Sequence, residues 1–375
     1  MVLKGVKIID LSRVLAGPYC TMILADLGAE VIKVENPGIG DDSRSFGPFK
    51  DGESLYFNGI NRNKKSIELN LKDENDRMAF LDLVKDADVV VENFRPGTMK
   101  KLKIGYETIQ KINPGIIYAA TSGFGQTGPE SEKPAYDLII QALGGMMSIT
   151  GEEGGSPTKV GSSIADINAG MFTAIGIISA LFHREKTGEG QMVDVSMLDC
   201  QVAVLENAIA RYLTTQEDPK PIGNRHPTIS PFSMYPTADD YIVVAAGSPK
   251  LWGSFCDAIG RKDLFQDPRF ADNQLRTENI QELDEIIAPI FELKTTQEWM
   301  QILESKGIPC APVNRISDVM ENKQLKARNM IEEIDHPILG SLKMVGTPIK
   351  LSKTPGGIRR NAPKLGEHND EILLK

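Results

Sequence analysis

Short β-branched segments alternate with helical segments over the first 120 residues, and this alternation constrains the fold more than any other feature of the chain. Apolar runs of strand length are separated by segments with helical apolar spacing. Strands that alternate with helices form parallel sheets covered on both faces, so we expect an α/β fold. Strands are predicted at 6–11, 30–35, 88–92 and 115–120, and helices at 19–27, 74–85 and 106–112.

The second half of the chain breaks this alternation. Residues 141–160 are rich in glycine and polar residues and predict a loop. An apolar helix is predicted at 168–185, and prolines between 214 and 231 mark a linker. A second domain follows, with a strand at 241–245, helices at 251–259, 280–291 and 297–306, and a turn-rich segment from about 325 that ends in a helix at 370–374.

Charge and composition exclude several classes of function. The chain has 42 basic and 51 acidic side chains, hence a net charge of −9, which argues against general nucleic-acid binding. Its longest mostly apolar run, 169–182, has 14 residues, whereas a transmembrane helix needs about 20. The N-terminus has no signal-peptide pattern. The four cysteines form no CxxC motif, so we expect no metal site and reduced thiols in a cytoplasmic protein.

Basic residues near the ends of the predicted strands could bind a polyphosphate, because ion pairs with phosphate are strong. The alternative is ordinary solvated surface charge. The loop after the first strand has a single glycine, Gly17, and therefore lacks a dinucleotide fingerprint. Asn93, Phe94 and Arg95 directly follow a strand and could hold an adenine through an amide, an aromatic face and a cation. The basic residues are Arg13, Arg62, Lys64, Lys65, Lys72, Arg95, Lys101 and Lys103.

Asp166 is the strongest candidate for a reactive group. It lies among small residues just before the predicted apolar helix. One interpretation is a helix cap, which is a common use of aspartate. In the other, the helix N-terminus favours the ionised carboxylate, which attacks an activated acyl group and forms a covalent intermediate. The position of Asp166 in the sequence leaves both interpretations open.

A series of segments along the whole chain carries a resemblance to a known family. The segments are LSRVLAGPYCTMILADLGAEVIKVE at 11–35, NRNKKSIELNLK at 61–72, VENFRPGTMKKLKIGYE at 91–107, INPGIIYAATSGFGQTGP at 112–129, PAYD at 134–137, ADINAGM at 165–171, HREKTGEGQ at 183–191 and GNRHPT at 223–228. In this order they resemble the family III CoA-transferases, which include formyl-CoA transferase and the carnitine CoA-transferases.

The resemblance implies an enzyme that moves CoA from an acyl-CoA donor to a small carboxylic acid. Asp166 is the implied nucleophile, no cofactor is permanently bound, and acyl-CoA or CoA is a substrate. Two positions depart from formyl-CoA transferase, since Asn36 and Lys101 stand where that enzyme has arginines. Its glycine-rich loop is reduced here to residues 246–250. Implied CoA contacts are Val14, Leu15, Ala16, Asn36, Leu69, Lys72, Asn93, Phe94, Arg95, Lys101 and Tyr136.

The same resemblance implies a Rossmann-like large domain plus a smaller α+β domain, assembled as an interlocked homodimer. The large domain is expected to comprise 1–200 and 326–375, with a linker at 201–224 and the small domain at 225–325. We expect no nucleic-acid or membrane partner. The enzyme is expected to be cytoplasmic.

Two alternative functions stay open. The family also contains α-methylacyl-CoA racemases, whose catalytic histidine corresponds to Tyr136 in this chain. A tyrosine with a pKa near 10 is a poor base at neutral pH, which favours transfer over racemisation. The other alternative is a CoA-binding protein without catalysis, and Asp166 in its setting of small residues argues against it.

Overall fold

A computed structural model describes residues 1–374. The strands are Lys7–Asp10 (β1), Glu30–Glu35 (β2), Phe49–Lys50 (β3), Glu53–Ser54 (β4), Lys64–Glu68 (β5), Val89–Glu92 (β6), Ile117–Ser122 (β7), Met192–Ser196 (β8), Phe232–Pro236 (β9), Tyr241–Ala245 (β10), Cys310–Pro312 (β11), Ile331–His336 (β12) and Gly340–Val345 (β13). The helices are Ala16–Asp26 (α1), Leu55–Asn61 (α2), Glu74–Lys85 (α3), Thr98–Lys101 (α4), Tyr106–Ile112 (α5), Asp137–Leu143 (α6), Met146–Ile149 (α7), Ile164–Thr187 (α8), Met197–Ala203 (α9), Glu206–Thr215 (α10), Pro249–Ala258 (α11), Asn273–Glu278 (α12), Ile280–Phe291 (α13), Thr296–Ser305 (α14), Ile316–Glu321 (α15), Lys323–Ala327 (α16) and Asn369–Leu373 (α17).

The chain divides into two compact units. Unit 1 comprises 1–148, 158–219 and the segment from 323 onward, and unit 2 comprises 149–157 and 220–322. Unit 1 contains a six-stranded sheet in the order β5-β2-β1-β6-β7-β8, and every strand pair in it is parallel. The predicted parallel α/β fold is therefore confirmed.

The strand order places a crevice at the centre of this sheet. From β1 the chain proceeds outward to β2 and β5, and it then returns to build β6, β7 and β8 on the other side of β1. Ligands of such doubly wound sheets bind outside the carboxyl ends of the strands, where the order reverses. In this chain that point lies between the loop after β1 and the loop after β6.

Helices cover both faces of the sheet. One core contains side chains of α1 and α8, and the other contains side chains of α3 and α5. Helix α8 packs closely on α1 because residue 170 is glycine. A Cβ atom on Gly170 would lie 2.7 Å from the carbonyl oxygen of Ala16. The first turns of the two helices are thereby held side by side.

Several helix boundaries differ from those predicted. Helix α1 begins at Ala16 rather than at residue 19, because Pro18 sits in the first turn, where its missing N–H is not needed. Helix α8 begins at Ile164, so Asp166 lies inside its first turn rather than before it. The predicted loop at 141–160 contains the end of α6 and all of α7.

Helix α8 is also longer than the apolar run that defined it in the sequence. Its 24 residues are long and apolar enough to cross a membrane by length and composition. The core helix of a soluble protein passes the same test, and 44% of the most apolar window of α8 is buried within the protein. Helix α8 packs on α1 and β7.

Unit 2 contains an antiparallel three-stranded sheet in the order β11-β10-β9. Its core is aromatic, with Phe291 stacked on Tyr235 and lying 4.7 Å from Trp299 between ring centroids. Strand β10 matches the prediction. The sequence did not predict β9 or β11, which are short and end in Pro236 and Pro312.

The C-terminal segment returns to unit 1 and covers the outer edge of β5. The backbone N–H of His368 donates to the carbonyl oxygen of Ser66 at 2.9 Å, and the Ser66 N–H donates to Nδ1 of His368 at 3.2 Å. The Glu68 N–H donates to Oδ1 of Asn369 at 2.8 Å. These bonds satisfy backbone groups that an edge strand otherwise leaves open.

Candidate active site

A cavity of about 380 Å³ opens at the crevice between the loops that follow β1 and β6. It lies where the strand order reverses, as expected for a ligand site of this fold. The cavity brings together predicted residues from distant parts of the sequence. These are Val14, Leu15, Ala16, Asn93, Phe94, Arg95, Tyr136 and Asp166.

A second cavity, of about 530 Å³, adjoins the first. It is lined by the predicted residues Asn36, Leu69 and Lys72. Both cavities share Arg13, Asp42, Phe94 and Thr98 as lining residues, so a long ligand can extend from one into the other. Lys101, at the end of α4, lines neither cavity and is exposed.

The loops after β1 and β6 are joined by side-chain hydrogen bonds. The Asn93 amide accepts a bond from the Arg13 N–H and donates one to the Arg13 carbonyl oxygen, both at 2.8 Å. The Arg13 guanidinium also lies 5.2 Å from the centroid of the Phe94 ring. The predicted aromatic and amide groups therefore hold the neighbouring loop as well as facing the cavity.

Asp166 lies in the first turn of α8 and faces the first cavity. Among residues 1–374, no side chain forms a hydrogen bond or ion pair with its carboxylate, and Ser163 rather than Asp166 is the N-cap residue. Burial, followed by the nearby charge of Asp137, raises the pKa of Asp166 to about 7. Burial and Asp137 therefore favour the protonated form of Asp166, in opposition to the helix N-terminus, which favours the ionised form.

Asp137 is a residue that the sequence analysis missed. Its Oδ1 accepts the Ala165 N–H at 2.9 Å, and its Oδ2 accepts a bond from Gln141 at 2.7 Å. The side-chain oxygen Oε1 of Gln141 in turn accepts the Val160 N–H at 2.9 Å. These bonds tie α6 to the first turn of α8 and place a second carboxylate beside Asp166. The available signal was its position, immediately after Tyr136 in the PAYD segment.

Tyr56 is a second residue that was missed. It lies in α2, and burial, followed by the charges of Asp166, Asp41 and Asp137, raises the pKa of its hydroxyl to about 12. The charge of Asp166 therefore acts on the hydroxyl of Tyr56. Nothing in the local sequence around Tyr56 indicated this proximity.

Three of the predicted phosphate-binding cations are structural instead. Arg62 is buried and pairs with Asp26 at 2.7 Å, and Lys64 is buried and pairs with Asp10 at 3.0 Å. Lys65 pairs with Glu30 and Glu371. Arg13 is exposed and pairs with Asp42 at 3.3 Å. Within the described chain no ion pair engages the other exposed cations, which are Lys72, Arg95, Lys101 and Lys103.

Known proteins share the sequence and the fold of this chain over its length. The sequence profile of CoA-transferase family III matches residues 3–369. An acetyl-CoA:oxalate CoA-transferase from Acetobacter aceti is 44% identical over 365 residues, which is 97% of this chain and 92% of that protein. A succinyl-CoA:glutarate CoA-transferase from Homo sapiens is 40% identical over 372 residues, which is 99% of this chain and 85% of that protein. The crystal structure of a CAIB/BAIF family protein from Brucella suis has a TM-score of 0.88 at 38% identity and covers 99% of this chain and 98% of its own.

Proposed function

The chain belongs to CoA-transferase family III and is a CoA-transferase, and we propose that it transfers CoA through a covalent intermediate on Asp166. One observation carries the proposal. Asp166 has an unpaired carboxylate that faces a cavity lined by residues for which CoA contacts are expected. Its pKa of about 7 leaves a substantial ionised fraction at neutral pH, and the ionised form is the nucleophile.

The proposed reaction proceeds in four balanced steps. An Asp166 oxygen attacks the thioester carbonyl of the donor acyl-CoA. The carbon–sulfur bond breaks, CoA departs as a thiolate, and a mixed anhydride of Asp166 and the donor acid remains. The thiolate attacks the aspartyl carbonyl and releases the donor acid, leaving an aspartyl-CoA thioester. The acceptor carboxylate attacks that thioester, which gives a second anhydride and thiolate. The thiolate then attacks the acceptor acyl carbon, which forms the new acyl-CoA and restores Asp166.

The two adjoining cavities suit the two halves of CoA. We assign the thioester and its adjacent chain to the first cavity, with Val14, Leu15 and Ala16, since Asp166 faces this space. The adenosine end is assigned to the second cavity, which contains Asn36, Leu69 and Lys72. Arg95, which lines the first cavity, and Lys101, which lines neither cavity, are proposed to pair with the phosphates of CoA. In this scheme CoA and acyl-CoA are substrates, and no permanently bound cofactor takes part.

The acceptor is proposed to be a small dicarboxylic acid. Oxalate and glutarate appear in the names of relatives that are 44% and 40% identical to this chain. Arg13 and Lys133 line the cavity that Asp166 faces, and we propose that one of them exchanges its exposed partner, Asp42 or Glu130, for the acceptor carboxylate that does not react.

We further propose that the enzyme is a homodimer, interlocked as the family resemblance implies. Met171, Ile175, Ile178 and Phe182 follow one another at helical spacing along α8 and are all exposed in the single chain, Phe182 by 64%. A soluble monomer rarely exposes such an apolar stripe. A second copy would cover the apolar face of α8 that a bilayer could otherwise contact, and we propose a cytoplasmic location.

Sedimentation equilibrium tests the assembly. The native chain is expected at twice its mass of 41.1 kDa, and Ile175→Glu is expected to weaken the dimer. Met78→Glu places the same charge at an exposed apolar position on α3 and should leave the mass unchanged. A native protein that sediments as a monomer at micromolar concentration would refute the dimer.

An exchange assay read by mass spectrometry tests the reaction. Purified protein is mixed with several acyl-CoA donors and a panel of mono- and dicarboxylic acids. New acyl-CoA species should require both the acceptor acid and Asp166, so Asp166→Ala should abolish them. Asp86→Asn, which removes an exposed acid at the end of α3, is the matched control. Hydroxylamine should trap the activated aspartyl group as a hydroxamate at residue 166.

The same experiment distinguishes the alternatives. Solvent deuterium entering a 2-methylacyl-CoA without any exchange of acids would indicate a racemase. Binding of CoA with neither reaction would indicate a binding protein. Exchange that survives in Asp166→Ala would disprove the proposed nucleophile.

A further inference from the structure

The loop between β1 and α1 contains a backbone conformation that its sequence does not favour. Val14 has a φ of 67°, in the left-handed region. This region is unfavourable for β-branched residues, and such conformations persist only where the surroundings hold them in place. Val14 also lines the cavity that contains Asp166. The strained residue is therefore part of the wall of the candidate site.

A buried carboxylate holds the backbone of Val14. The Val14 N–H donates to Oδ1 of Asp41 at 3.1 Å. The same oxygen accepts bonds from the Ser43 N–H at 2.8 Å and the Ser43 hydroxyl at 2.7 Å, which fix its position. Asp41 belongs to the segment after β2, so the contact joins two different loops at the same edge of the sheet.

Lys33 connects this carboxylate to the other end of the loop. Its Nζ lies 2.7 Å from Oδ2 of Asp41 and donates to the carbonyl oxygen of Ser12 at 2.8 Å. The side chains of Lys33 and Asp41 are only 1% and 0% exposed. One ion pair therefore anchors both Ser12 and Val14, which flank Arg13.

Stability alone does not explain why a charged pair occupies this position. Replacing a buried ion pair with well-packed apolar residues is often neutral or stabilising, because burial of the charges costs much of what their attraction contributes. A charged pair can, however, form hydrogen bonds with the Ser12 carbonyl oxygen and the Val14 N–H, which an apolar pair cannot do. This difference points to a role in positioning the loop.

We infer that Lys33 and Asp41 are positioning residues that hold Val14 in its left-handed conformation and so preform the CoA-binding wall. The inference rests on the proposed binding of CoA in this cavity. Neither side chain is assigned a contact with the reacting atoms. Their removal is expected to weaken acyl-CoA binding more than it slows the chemical steps.

A mutant cycle tests this role. Lys33→Met combined with Asp41→Leu removes both charges without leaving one of them unpaired. We expect the KM for acyl-CoA and the Kd for CoA alone to rise at least 10-fold, and kcat to change by less than about 3-fold. In the Val14→Gly background the same pair of changes should raise the Kd by less than about 3-fold, because glycine adopts positive φ without strain.

A matched control addresses general loss of stability. Asp26→Asn disrupts another buried ion pair, with Arg62, at the far end of α1. It should lower the melting temperature and leave the Kd for CoA unchanged. If the double variant does not fold, Lys33→Met combined with Asp41→Asn takes its place in the same cycle, because this pair also leaves no buried charge unpaired.

Two outcomes would overturn the inference. In one, the folded double variant binds CoA as tightly as the native chain does. In the other, the Kd rises equally in the Val14 and Val14→Gly backgrounds, so the ion pair acts independently of Val14. Failure of the native protein to bind CoA would instead refute the proposed function, and isothermal titration of the native protein with CoA reveals this separately.

Discussion

Glu92 provides a prediction whose sign is contrary to intuition, because removing its charge should stabilise the protein. It lies at the carboxyl end of β6 and is 3% exposed. Its carboxyl accepts the Phe94 N–H at 2.7 Å and the Tyr118 hydroxyl at 3.2 Å, and no cation pairs with it among residues 1–374. Burial outweighs these two bonds and raises the pKa of Glu92 from 4.5 to about 7.

The shift in the pKa of Glu92 determines the expected change in the free energy of unfolding. The difference is about 2.5 pH units, and each unit corresponds to 1.36 kcal/mol, which gives about 3 kcal/mol. Between pH 4.5 and 7 the folded protein retains a proton that the unfolded chain has released. The free energy of unfolding therefore falls as the pH rises through this window, and Glu92 contributes no further change above it.

The variant Glu92→Gln keeps the shape and has no ionised form. Its free energy of unfolding should exceed that of the native chain by less than about 1 kcal/mol at pH 5 and by about 3 kcal/mol at pH 8.5. Denaturant unfolding at the two pH values measures this difference, and Glu107→Gln, at an exposed position in α5, is the control. A variant that is less stable at both pH values, or a difference that does not depend on pH, would refute the reasoning.

Three further predictions concern the site and its supporting helices. The kcat/KM for CoA exchange should rise with pH through about 7 and then level off, because Asp166 attacks as the carboxylate; a profile that is flat from pH 5.5 to 8.5 would contradict this. In the same assay Asp137→Asn should move the rise to lower pH, since it removes a charge that raises the pKa of Asp166. Gly170→Ala should destabilise the fold by about 1–3 kcal/mol in denaturant unfolding, because its Cβ would clash with the Ala16 backbone. Gly161→Ala, with open space around the new Cβ, should change stability by less than about 0.5 kcal/mol, and equal losses for the two variants would refute the packing argument.

The local elements of the sheet could be predicted from the sequence because their signals are local. Strand β2 and helices α5 and α13 have the bounds that the apolar pattern predicts. Strands β3, β4, β5, β9, β11, β12 and β13 were missed. Strands β9 and β11 end in proline, and β12 and β13 form a hairpin in a segment dominated by turn residues. These segments are strands because they pair with a neighbouring strand, and their own sequences lack a clear strand pattern.

The properties of the candidate site depend on contacts between distant residues. Asp166 is a candidate from the sequence alone, but its raised pKa depends on burial and on Asp137, which lies in another helix. Arg62 and Lys64 appear in the sequence as surface cations, whereas Asp26 and Asp10 pair with them in the interior. The left-handed conformation of Val14 has no local signal, because the contact that holds it comes from Asp41.

The bonds between the C-terminal segment and β5 have a consequence for synthesis on the ribosome. Ser66 and His368 are 302 residues apart, so translation at roughly 5–20 residues per second leaves about 15–60 s between them. During this interval the outer edge of β5 is made but not yet covered. A nascent chain is therefore exposed to edge-to-edge association for most of its translation, and chaperones that recognise open strands have this interval in which to bind. Truncation near residue 360 would make the open edge permanent.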